Sequence, residues 1–148
     1  MSKTVAIRGD GGQVEIEVFN YERPKSTEGS DANWLSCRCG VTVREFSCGV
    51  SLSLMTDNFV RFLDDLTEAL RSLRGTAVFV TLESGLKLEI TLKAAGHADV
   101  FGTIQSQLSV VPSRTRLDFS FETDQSFLSQ TVEGLRAVIR QFPVRSDI

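Results

Sequence analysis

One stretch constrains this chain more than any other. In Met55–Gly75, MTDNFVRFLDDLTEALRSLRG, the residues Phe59, Phe62, Leu63, Leu66, Ala69, Leu70 and Leu73 recur at the spacing of a single apolar stripe on an α-helix. Such a stripe must be buried against another layer, so the rest of the chain has to supply an apolar face. Thr56 is placed to cap the helix, Asp57 to complement its positive end, and Gly75 to supply a left-handed stop.

The flanking sequence supplies that face as strands. Val5 and Ile7, then Val14, Ile16 and Val18, alternate with polar neighbours at the period of a half-buried strand. Gly9-Asp10-Gly11-Gly12 between them reads as a hairpin turn. It is not a phosphate cradle, because a strand follows it and the P-loop lysine is missing. Leu35, Cys37, Cys39, Val41 and Val43 share one face of the next strand, opposite Trp34, Ser36, Arg38, Gly40 and Thr42. After a turn at Arg44-Glu45, Phe46, Cys48, Val50, Leu52 and Leu54 are expected on the apolar face and Ser47, Gly49, Ser51 and Ser53 on the polar one. The polar segment 20–30, NYERPKSTEGS, is the one long loop, either a connector or a contact surface.

The same grammar returns after the helix. Strands are expected over 76–83, around Leu86–Leu92, over 102–110 and around Leu117–Phe121. A second helix follows, with Asp124 as N-cap, Leu128, Val132, Leu135, Val138, Ile139 and Phe142 as its stripe, and Pro143 as its end. A shift of 69 residues lays this stripe on the first, Phe59 on Leu128 and Leu73 on Phe142. The expectation is an α+β fold: a mainly antiparallel sheet of about eight strands, with two amphipathic helices packed on one face. It reads as one domain over residues 1–148, built from a ββββα unit used twice, 1–75 and 76–148.

Charge and composition narrow the function classes. Sixteen basic and nineteen acidic residues leave a net charge of −3, which does not invite nucleic acid. The opening MSKTVAIRGDGG lacks a secretory pattern and no run is long enough to span a bilayer, so a cytoplasmic location with no membrane partner is expected. Cys37, Cys39 and Cys48 are odd in number and read as reduced, buried thiols. With His97 they make four conceivable zinc ligands, but they alternate with core residues instead of forming knuckles, so neither metal nor cofactor is expected. His97 itself follows Gly96 in a turn and has no nucleophile motif to serve. On the outer face of the first helix, Asp64, Asp65 and Glu68 form a small acidic patch, readable as a solvated face or as a contact for a basic partner.

Several phrases together resemble a bacterial family, the WapI family immunity proteins. The likeness is carried by Tyr21 and Pro24 ahead of Asp31-Ala32-Asn33-Trp34-Leu35, by Leu54-Met55-Thr56 with Phe59 and Phe62, and by Gly96-His97. Leu117-Asp118-Phe119 leading into Asp124-Gln125-Ser126-Phe127-Leu128 completes it. The Cys37-Arg38-Cys39 run departs from the pattern. The resemblance implies a protein that is not an enzyme and that binds and neutralises a cognate toxin domain, typically a nuclease, as a monomer or homodimer. Asp31, Asn33 and Trp34 are then expected to shape a corner, with Asp64, Asp65, Glu68 and His97 as further partner-binding candidates. Two competing readings are a homo-oligomeric structural or scaffold domain and a small-molecule pocket near His97.

Overall fold

The computed structural model describes residues 1–26, 28–81, 85–106 and 115–145. The first four strands, β1 (Lys3–Gly9), β2 (Gly12–Tyr21), β3 (Trp34–Val43) and β4 (Phe46–Met55), lead into helix α1 (Thr56–Ser72). Four more, β5 (Gly75–Val80), β6 (Leu86–Leu92), β7 (His97–Gln105) and β8 (Arg116–Asp124), lead into α2 (Gln125–Gln141). Both helices span 17 residues. Their first residues, Thr56 and Gln125, lie 69 positions apart, matching the shift between the stripes.

Among the described residues, eight antiparallel strands divide into two four-stranded meanders, ordered β1-β2-β3-β4 and β5-β6-β7-β8, instead of one continuous sheet. The expected strand over 76–83 is β5, ending at Val80. The expected strand over 102–110 begins earlier, at His97, and pairs with β8 to Gln105. Positions 82–84 and 107–114 lie outside the described residues. Side-chain parity in β3 is as the alternation requires: Leu35, Cys37, Cys39, Val41 and Val43 are all buried.

The two units interlock by exchange, α1 lying beside β5 and α2 beside β1. Phe59 and Phe62 of α1 each meet Phe79 of β5 edge to face, with centroids 5.5 Å apart. β1 is an outer strand whose free edge would otherwise present unpaired carbonyls. α2 and the end of β8 supply donors for it. The Thr131 hydroxyl donates to the Ala6 carbonyl at 2.8 Å, and the Thr123 hydroxyl donates to the Arg8 carbonyl. Buried side chains from both sheets and both helices form one cluster.

Helix boundaries follow local chemistry that differs from the sequence reading at two points. Thr56 is the first helical residue and not the cap; the Met55 backbone N–H donates instead to Asn58 Oδ1 at 2.8 Å. The left-handed stop falls on Leu73, φ 53°, with the Arg74 N–H closing back on the Ala69 carbonyl, while Gly75 already opens β5. Leu73 thus ends the stripe at the surface, 39% exposed. Asp124 does cap α2, its Oδ1 accepting from the Phe127 N–H at 3.0 Å.

Candidate functional site

The corner at the start of β3 is built around the segment that follows α2. Residues Ser30–Asn33 form a 3-10 turn, which brings Asp31 within 3.3 Å of the Trp34 indole N–H and 2.9 Å of Arg23. Arg145 then enters from the other end of the sequence. Its backbone N–H donates to Asn33 Oδ1 at 2.7 Å, and its guanidinium donates to the carbonyls of Arg23, Pro24 and Ala32 at 2.7–3.1 Å. The same guanidinium lies 3.6 Å above the Tyr21 ring. Tyr21 in turn donates to the Pro143 carbonyl and packs edge to face on Phe142. Burial raises the Tyr21 hydroxyl above its usual pKa, with the Arg145 charge pulling the other way.

This arrangement separates the three corner residues by accessibility. Asn33 is fully buried and its side chain serves the chain's own backbone. Asp31 is exposed and Trp34 is half-buried on an inner strand. The phrase Asp31–Trp34 is therefore a socket for Arg145, with Asp31 and the Trp34 ring at its surface.

The remaining sequence candidates lie on other elements. Asp64, Asp65 and Glu68 are exposed on α1. Glu68 accepts twice from Arg71, which lowers its carboxyl below the usual range, and Arg61 pairs with Asp57 at 3.6 Å. His97 is exposed where β7 begins opposite Asp124, its carbonyl accepting the Lys93 N–H at 2.7 Å. The corner, the helix face and the histidine are not brought together.

All three cysteines are free, Cys37 and Cys39 buried and Cys48 half-buried. No group of three or more His, Cys, Asp or Glu among the described residues is placed to hold a metal ion. Burial pushes both the Cys37 and Cys39 thiols up to about 12, since a thiolate there would lose its hydration. Two consequences follow for the native protein. Ellman titration at pH 8 should modify Cys48 first and release Cys37 and Cys39 only on unfolding. Above pH 9 the unfolded thiols deprotonate while the folded ones do not, so stability should fall as pH rises. The fall approaches roughly 1.4 kcal/mol per buried thiol per pH unit up to about pH 12. Chemical denaturation at pH 8 and pH 10 measures it.

A further concavity holds residues that the sequence does not mark as partner-binding candidates. It is an open cleft of about 550 Å³ between the β3–β4 hairpin tip and β7–β8, with Phe46, Phe101, Leu117 and Phe119 among its lining. Phe46 was expected on the apolar face of β4. It is instead 65% exposed, because at the hairpin tip that face turns to the cleft and not to the core. Phe101, 53% exposed, occupies a position with the parity of the half-buried Asp99 and Thr103. A phenylalanine out of step on a polar strand face was the available signal for it.

Among the described residues, no helix is long and apolar enough to cross a membrane. No curated protein matches the chain. The model of the immunity protein WapI-like family matches residues 5–143, from β1 to the segment that follows α2. That match takes in both ββββα units, the Asp31–Trp34 corner and the cleft, and the chain belongs to the immunity protein WapI-like family.

Proposed function

We propose that this protein is an immunity protein that binds a cognate toxin domain and blocks it by stoichiometric association, without catalysis, in the cytoplasm of the producing cell. The observation that carries this reading is the family match over residues 5–143. The net charge of −3 suits a basic target such as a nuclease, which carries positive charge to grip phosphates. Steering of that size is modest, so affinity rests mainly on shape and on desolvated anchors. Asp31, Trp34, Asp64, Asp65, Glu68 and His97 are exposed or half-buried and available to a partner, whereas Asn33 contributes by holding the corner's shape.

Co-expression tests the proposal in cells. Where a toxin domain is found encoded beside the gene, that candidate should arrest growth when induced alone, and growth should be restored when this protein is produced with it. Continued arrest at matched toxin levels, with this protein present and folded, would refute the function.

A further inference from the structure

We infer that the Phe46–Phe101 cleft is the surface that receives the partner, and that its occupant is a basic loop of the toxin domain carrying an aromatic or long aliphatic side chain at its tip. This rests on the immunity reading above and names the surface that serves it.

Three observations support the assignment. The first is the exposed pair of phenylalanines. Phe46 and Phe101 come from different sheets, yet they line one concavity over an apolar floor of Leu117 and Phe119. Two largely exposed rings in one concave site are costly to leave in water, and buried aromatic anchors dominate the energetics of interfaces.

The second is rigidity. The Arg44 N–H donates to the Gly11 carbonyl at 2.9 Å, tying the β3–β4 tip to the β1–β2 turn. The Asp10 N–H donates to the Glu122 carbonyl at 2.8 Å, tying that turn to β8. Gly12 lets the Phe121 ring approach so closely that a Cβ would sit 2.3 Å from it, and Gly102 does the same for Phe119 at 2.2 Å. The walls are thus fixed before a partner arrives, which lowers the ordering cost of binding.

The third is charge. Glu45 and Asp118 line the cleft, and an adjoining concavity of about 420 Å³ that shares Arg44, Phe101 and Ser120 adds Asp10, Asp99 and Glu122. Among the described residues, the cation that lines the two concavities with these five carboxylates is Arg44. At the rim Arg116 pairs with Asp118 at 3.1 Å, and Lys93 pairs with Asp99 at 3.0 Å and reaches Glu122 at 4.0 Å, so with Arg44 the five carboxylates exceed the cations by two among the described residues. An apolar centre with an acidic rim selects a partner segment of the reverse rim charge.

The test uses the full chain and the candidate toxin domain of the co-expression assay, by calorimetry and in that assay. Phe46→Ser/Phe101→Ser should weaken binding at least 100-fold and abolish protection, because both rings are surface groups whose loss spares the core. Glu133→Gln/Arg136→Gln, which removes an exposed ion pair on α2 that lines neither concavity, should bind within threefold of the parent. Amide exchange of the unaltered complex gives a readout independent of variant folding, with new protection expected in segments 43–46 and 117–122. If the parent protein binds while the double phenylalanine variant binds equally well, or if protection falls only on α1, the cleft assignment is overturned and the immunity function stands. If the parent protein neither binds nor protects, the immunity function fails and the assignment falls with it.

Discussion

Phe79→Ala is expected to destabilise the protein by about 3–5 kcal/mol, which at this chain length lowers the melting temperature by roughly 8–15 °C. Phe79 is buried in β5 and receives Phe59 and Phe62 of α1 on its ring, each edge to face at 5.5 Å. Truncation removes the transfer free energy of one ring and two aromatic contacts at once, and it leaves a void between layers that come from different units. Because α1 belongs to the first unit and β5 to the second, the loss loosens the exchange that joins them. A Phe79→Leu variant should recover a large part of the deficit by filling most of the volume. Thermal melts followed by far-ultraviolet circular dichroism distinguish the two variants. Equal melting temperatures for Phe79→Ala and the parent would contradict the packing described.

The second large effect concerns the Arg145 socket. Arg145→Ala should cost about 2–3 kcal/mol, since hydrogen bonds involving a charged group each contribute about 1.5–3 kcal/mol and their partial exposure limits the total. The carbonyls of Arg23, Pro24 and Ala32 lose their guanidinium donors, and Tyr21 loses the cation above its ring. The backbone N–H of residue 145 is unchanged by the substitution, so its bond to Asn33 Oδ1 can persist. The consequence is local: segment 22–33 should exchange its amides faster, while β6 and β7 should not. Arg145→Lys should recover little, because one ammonium cannot reproduce a planar fork that reaches three carbonyls. Uniformly faster exchange across both sheets would contradict a local latch.

These two sites mark where sequence legibility begins and ends. Strand parity in β3, the Asp124 cap and the 69-residue offset of the helices are local or periodic properties, so they were readable directly. The division into two sheets was not, because nothing local to β5 determines whether it pairs along an edge of the first sheet or founds a second one. The exchange of α1 onto β5 and α2 onto β1 is likewise a long-range choice. The end of α1 was misplaced because glycine is the usual left-handed stop, whereas here Leu73 adopts φ 53° with its side chain at the surface.

The candidate site divides in the same way. Asp31-Ala32-Asn33-Trp34 stood out as a phrase, but its partner Arg145 lies more than a hundred residues away, and no pattern announces such a contact. Phe46 followed the strand alternation faithfully and was still exposed, since alternation specifies a face and not what covers it. Phe101 breaks the alternation, an aromatic at a position whose parity neighbours Asp99 and Thr103 are polar, and it is exposed.

Neutralisation by stoichiometric binding is measured by titrating a fixed concentration of the candidate toxin domain from the co-expression assay with the purified protein, following toxin activity. Activity should fall linearly to zero and break at an integral molar equivalence, independent of incubation time. Activity that is undiminished at several equivalents would contradict the account. So would activity that is lost progressively at a small fraction of an equivalent, since that is the behaviour of a catalyst.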